Sequence, residues 1–109
     1  MAITAKELIA SAQLTNASAL QYTATNVRTI IDKFTLCNTT AGAVTATVYI
    51  GTASAGNTII SARSIAAGET YTCPEIVCHV LNATETIYAL ASANTSITIR
   101  SSGREVSGM

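Results

Sequence analysis

Along residues 43–50 apolar and polar side chains alternate, with Val44, Ala46, Val48 and Ile50 on one side and Thr45, Thr47 and Tyr49 on the other. Successive side chains of an extended chain point to opposite faces, so this spacing predicts a half-buried strand. Residues 29–38 carry the same signal, with Phe34 and Leu36 on one face and Thr35 and Cys37 on the other. Between the two segments, Asn38-Thr-Thr-Ala-Gly42 reads as a turn, and the pair is expected to form a hairpin. The small residues from Gly51 to Asn57 make a connection to a further strand over residues 58–65. Ala66-Ala-Gly68-Glu69 is another turn, because glycine supplies the positive φ that such positions often require. Residues 70–73 give a short strand that Pro74 must stop or confine to an edge, since proline donates no ladder hydrogen bond. Residues 75–81 are ambiguous and fit a single helical turn. Strands over residues 86–92 and 96–102 then close the chain around the polar turn Ala93-Asn94-Thr95.

The opening of the chain differs. Thr4-Ala-Lys-Glu7 has capping-box spacing ahead of Leu8 and Ile9, but the apolar stripe is too brief for a stable lone helix. The reading adopted is an extended arm over residues 1–16 that lies on a neighbouring subunit, followed by one domain over residues 17–109. Seven or eight short strands separated by turns predict an all-β chain, a single antiparallel β-sandwich or jelly roll. No βαβ alternation supports a parallel sheet, and no internal repeat or linker divides the chain.

Composition agrees and adds a constraint. Thr occurs 18 times and Ile 12 times among 109 residues, and β-branched side chains favour pleated surfaces. Nineteen alanines and only five aromatic residues (Tyr22, Phe34, Tyr49, Tyr71, Tyr88) mean a core of small pieces, for which burial between subunits would add stability. Six Lys+Arg balance six Asp+Glu, and charged residues are 11% of the chain against about 25% in ordinary domains. Without a cationic excess there is no electrostatic footprint for nucleic acid, and mean hydropathy of +0.39 argues against disorder. Every apolar run is broken long before the roughly 18 residues of a membrane span, and Lys6 and Glu7 interrupt any signal-peptide core.

The search for chemistry returns mostly absences. Cys37, Cys73 and Cys78 are odd in number, so they cannot all pair within the chain, and a reducing compartment is the simpler reading. Cys73-x4-Cys78-His79 does not match the two-residue knuckles of structural zinc sites, and His79 is the only histidine. Cys78 is expected to be packed and His79 exposed; as neighbours on opposite faces they make a poor nucleophile–base pair. Asp32, the only aspartate, and Glu7, Glu69, Glu75 and Glu85 suggest no carboxylate pair for glycoside hydrolysis. Gly51-x4-Gly56 has phosphate-loop spacing, but Asn57-Thr58 stands where Lys-Ser/Thr is required, so it reads as a hairpin tip. Asn-x-Ser/Thr triplets begin at Asn16, Asn38, Asn82 and Asn94, as chance predicts for a Thr- and Asn-rich chain. Arg100, Arg104 and Glu105 read as an intersubunit polar contact or exposed charges. No catalytic, cofactor-binding or metal-binding residue is assigned, and no cofactor is expected.

Three segments carry a resemblance. Phe34-Thr-Leu-Cys-Asn-Thr-Thr40, Ile65-Ala-Ala-Gly-Glu-Thr-Tyr-Thr-Cys-Pro-Glu75 and Ile97-Thr-Ile-Arg-Ser-Ser-Gly-Arg-Glu105 resemble small structural proteins of tailed bacteriophages, over nearly the whole chain. The turn Gly68-Glu69 leading into Cys73-Pro74-Glu75 is similar to the β-sandwich pattern of phage decoration, neck and tail proteins. The resemblance implies glycine near position 78 and a Gly-Asp type turn near 83–85; this chain has Cys78 and Ala83-Thr84-Glu85 instead.

What the resemblance implies is a non-enzymatic virion structural protein, assembled in the bacterial host cytoplasm. The leading expectation is a capsid decoration (cement) protein, a dimer or trimer of itself bound to the major capsid protein or other virion proteins. The alternative is a neck, tail or fibre component that contacts a host receptor, an option lowered by the lack of Trp for sugar stacking. Neither reading involves nucleic acid or membrane. Few charges and zero net charge leave little electrostatic protection against association, which suits a part packed in many copies.

Overall fold

The computed structural model describes residues 2–107. The described residues hold nine strands: β1 (Ala2–Gln13), β2 (Ala19–Thr23), β3 (Arg28–Asn38), β4 (Val44–Ile50), β5 (Thr58–Ile65), β6 (Thr70–Tyr71), β7 (Val80–Leu81), β8 (Thr86–Ala91) and β9 (Ile97–Ser107). One sheet has the order β1-β9-β3-β6, with β7 pairing with β3 beyond the end of β6; the other has the order β2-β8-β4-β5. All pairings are antiparallel. Every connection except β4–β5 and β6–β7 passes from one sheet to the other. Taking β6 and β7 as two halves of one edge strand, this is the eight-stranded jelly roll of two interlocked four-stranded sheets.

The expected hairpin of residues 29–38 with 43–50 does not form. Both segments are strands, but β3 pairs with β9, β6 and β7, while β4 pairs with β5 and β8. Residues 39–43 therefore cross between sheets instead of reversing within one. Asn38 is why the crossing is stable. It is fully buried at the end of β3, where its amide nitrogen donates to the carbonyls of Gly42 and Ile65, each at 2.8 Å. Its side-chain oxygen accepts from the Thr40 amide at 2.9 Å and the Thr40 hydroxyl at 2.7 Å. The hairpin that does form is β4–β5, around the Gly51–Asn57 tip. This tip is cross-braced, because the Asn57 amide donates to the Thr52 carbonyl at 3.0 Å and its side chain fills the space that a Cβ on Gly51 would need.

The segment read as an arm is extended, but within this chain it belongs to the sandwich. β1 pairs along β9 and sends Leu8 and Ile9 into the core, and Leu14 follows them at 1% exposure. The capping-box spacing at Thr4 is overridden by this pairing.

The core lies between the sheets. Sheet β1-β9-β3-β6 contributes the bulk through Ile31, Phe34, Leu36, Ile97 and Ile99, while β4 and β8 contribute Val48, Ile87 and the small Ala46, Ala89 and Ala91. Each fully buried Ile, Leu or Phe stabilises the fold by about 1.5–3 kcal/mol. On β3 the strict alternation breaks between Ile31 and Phe34, both buried and three residues apart. A register shift between Ile31 and Lys33 absorbs the extra residue and leaves both Asp32 and Lys33 exposed.

Residues 75–81, ambiguous in the sequence, hold a turn and then a short strand that the sequence reading did not foresee. A turn is closed by Ile76 and Val77 amides donating to the Cys73 carbonyl, and Ile76 enters the core; Val80–Leu81 then pair with β3. The preceding strand is shorter than expected, since Cys73 has φ +51 and ends the extended run before Pro74.

Candidate interaction surface

The residues first weighed for chemistry are dispersed by the fold. Cys73 is buried behind the Pro74 turn, where burial, with Glu75 adding to it, pushes the thiol up to about 12. Cys37 is half-buried on the outer side of β3. Cys78 is exposed, against the expectation that it packs, because its φ of +76 turns it outward while its amide donates to the Ile31 carbonyl at 2.6 Å. Among the described residues no group of three or more His, Cys, Asp or Glu is gathered as a metal site. A shallow concavity of about 390 Å³ lies between β3 and the 72–79 turn, lined by Asp32, Lys33, Thr72, Pro74, Val77 and Cys78. Its carboxylate is engaged. Arg104 holds Asp32 through two hydrogen bonds of 2.9 Å, which keep the Asp32 carboxyl below the usual carboxylate range.

Of the glycosylation-type triplets, Asn38 is buried with both side-chain atoms bonded within the fold and cannot carry a glycan. Asn94 accepts from the Asn16 amide at 2.8 Å, tying the loop before β9 to the exit of β1.

The other carboxylates are also committed within the fold. Glu105 accepts from the Tyr22 hydroxyl at 2.5 Å and lies 3.3 Å from Lys6, while Tyr22 also meets Thr29 at 2.6 Å. Burial, with the Glu105 hydrogen bond adding to it, pushes Tyr22 up to about 12. Glu7 pairs with Arg100 at 2.5 Å. Glu75 accepts from the Tyr71 hydroxyl, which holds its carboxyl low, and the Arg63 guanidinium sits 4.2 Å from the Tyr71 ring centre. Glu69 and Glu85 accept from the backbone amides of Ala66 and Asn82 and so close their own turns.

Together these contacts produce a segregation of charge that no single motif announces. Eight of the twelve charged residues lie on β1, β3 and β9 of one sheet: Lys6, Glu7, Arg28, Asp32, Lys33, Arg100, Arg104 and Glu105. Glu69, Glu75 and Glu85 lie in turns, and Arg63, on the edge strand β5, is directed at Tyr71 of the other sheet. The outer face of the sheet β2-β8-β4-β5 therefore carries no charge. A row runs across all four strands through the register pairs Leu20–Tyr88, Tyr88–Tyr49 and Tyr49–Thr58. Leu90 and Thr47 form the next cross-strand pair, and Thr45 lies beyond. Leu20 is 52% exposed, and the others are half-buried against one another.

Such a face suits burial against another protein. Tyrosine supplies a large apolar body with a hydroxyl that finds a partner, and no ion has to be stripped of water. The alternation Thr45, Thr47, Tyr49 was legible in the sequence; its alignment with Thr86, Tyr88, Leu90 and with Leu20 depends on which strands pair. Comparison with protein-family models, with curated proteins and with solved structures gives no match, so the residues themselves carry the functional reading.

Proposed function

We propose that the protein is a non-enzymatic structural component of a tailed-bacteriophage particle, a capsid decoration protein that binds the major capsid protein. The observation that carries the reading is the uncharged Leu20–Tyr88–Tyr49 face opposite a sheet that bears most of the charge. One side is suited to seating on a shell and the other to facing solvent. The jelly-roll strand order supports this by analogy, since it recurs in viral shell proteins. The three sequence segments that resemble phage structural proteins support it independently. Many copies, each weakly held, would stabilise a shell together through multivalency.

The test is to add the purified protein to expanded capsids of the phage that encodes it. Binding should raise the capsid melting temperature, and Tyr88→Lys or Leu90→Lys, placed on the outer face, should fold normally and lose at least tenfold in binding. Binding to isolated tails alone would move the protein to the neck, tail or fibre apparatus. Binding that survives both lysines unchanged would overturn the assignment of the face.

A further inference from the structure

The sandwich has four open edges, and they are unequal. β2 is five residues long with a register shift between Leu20 and Tyr22. β5 is interrupted by two register shifts against β4 and by Ala62 at φ +44. β6 and β7 are two residues each, separated by the 72–79 turn. β1 is twelve residues long, ten of them exposed, and its first six pair with β9 without interruption, from Ala2–Ser107 to Glu7–Ser102. Among the described residues nothing pairs with its other side.

A long regular edge presents a ladder of unpaired amides and carbonyls, which proteins usually guard with proline, a bulge or an outward charge. Residues 2–7 have no proline and no bulge. Their two charges are turned back onto β9 within the chain, Lys6 to Glu105 at 3.3 Å and Glu7 to Arg100 at 2.5 Å. Ile3, 60% exposed, is the most exposed large apolar side chain among the described residues.

We infer that β1 is a self-association edge that pairs antiparallel with β1 of a second copy about a two-fold axis, joining two sheets into one. The inference rests on the reading of the protein as an assembling structural part and gives a geometry to the dimer or trimer expected from the sequence. The chemistry that satisfies a strand edge is another strand edge, and among the described residues the only edge with six uninterrupted ladder positions is β1 over residues 2–7, its two register shifts lying beyond Glu7. Two-fold pairing of identical strands also closes the assembly at a dimer. Keeping both inner faces on the same side requires the axis to pass through a residue, because a one-residue slip reverses the faces. An axis at Lys6 or Glu7 would set like charges opposite each other, which is destabilising. An axis at Ala2 or Ile3 would pair no more than three described residues of each copy, so Thr4 and Ala5 remain as centres, with Ile3 then opposite Ala5 or Glu7 of the second copy.

Zero net charge places no long-range repulsion between copies.

The experiment uses the purified full chain without any particle. Sedimentation equilibrium should show a monomer–dimer equilibrium, and Ile3→Lys, which adds a charge to the exposed edge, should raise the dissociation constant at least tenfold with the monomer still folded. Tyr88→Lys should leave the dimer intact. In a Cys78→Ser background, Thr4→Cys or Ala5→Cys should be joined by a short bismaleimide into a covalent dimer, and the background protein alone should not. A monomer at every concentration would overturn the inference. So would a dimer that Tyr88→Lys dissolves and Ile3→Lys leaves unchanged. Because no capsid is present, a dimer that fails to bind capsids refutes the decoration reading alone, and a capsid-binding monomer refutes the edge pairing alone.

Discussion

The side-chain amide of Asn38, at the end of β3, donates to the main-chain carbonyl of Ile65, at the end of β5, across the gap between the two sheets at 2.8 Å. With its bonds to Gly42 and Thr40, this one buried side chain holds a loop crossing and two strand ends together. Asn38→Asp replaces the donor with an acceptor facing two carbonyl oxygens, and Asn38→Ala leaves those oxygens unbonded. Each unsatisfied buried group costs about 1–3 kcal/mol, so both variants should lose at least about 2 kcal/mol in urea unfolding, the aspartate more. A loss below about 1 kcal/mol would mean that the crossing does not depend on Asn38.

Gly103 on β9 stands between Lys6 of β1 and Ile31 of β3 and has no room for a side chain. A Cβ there would sit 2.2 Å from the Ile30 carbonyl oxygen and 2.8 Å from a Leu8 methyl. The leucine can adjust; the backbone of the central strand cannot do so without opening the β3–β9 ladder. Gly103→Ala should cost about 3 kcal/mol or more, at or above the upper end for overpacking. Pairing it with Leu8→Ala should recover little, because the carbonyl clash remains, and full rescue by that second change would show that the leucine was the obstacle.

Thr84 and Cys78 occupy left-handed backbone at φ +78 and +76. These are positions 78 and 83–85, where the phage resemblance implies glycine. A left-handed conformation costs a side-chain-bearing residue about 1–2 kcal/mol, partly offset in glycine by the entropy of its unfolded chain. Thr84→Gly and Cys78→Gly should each raise stability by about 0.5–1 kcal/mol, seen as a higher melting temperature. If the melting temperature falls in both, the turn conformations at these positions are not as described.

Stability should fall at alkaline pH. Tyr22 and Tyr71 are pushed from 10.0 to about 12, and Cys73 from 9.0 to about 12, chiefly by burial. A raised folded value means that the neutral form is favoured by folding. The contribution is complete below the unfolded value and disappears as pH climbs through the folded one, here between about pH 9 and 12. On the acid side, Asp32 and Glu75 are shifted low by exposed partners, so their contribution is complete above their ordinary values of 3.8 and 4.5, fades as pH falls below them and is small. Melting temperature should hold steady from about pH 6 to 9 and fall above it. Cys73→Ala and Tyr22→Phe combined should flatten that fall; an unchanged slope would assign it to other groups.

The strands themselves were written in the chain. Alternation at Val44, Ala46 and Val48 and the turn at Gly68-Glu69 depend on period and on local φ, which neighbouring residues settle among themselves. The all-β class and the sandwich follow from that local information. Partnership does not. Nothing in the alternation of residues 29–38 and 43–50 distinguishes a hairpin from a crossing, and the choice rests on whether Asn38 finds the Ile65 carbonyl, 27 residues away. The opening segment likewise has a helical cap signal that loses to pairing with β9, where the missing side chain of Gly103 leaves room for Leu8. The charge count was available from composition, and its balance argued against an electrostatic footprint for nucleic acid. That the same twelve charges leave one whole face bare was decided only when the fold brought Leu20, Tyr88 and Tyr49 from three separate strands into one row, because a surface belongs to the paired strands and to no single stretch of sequence.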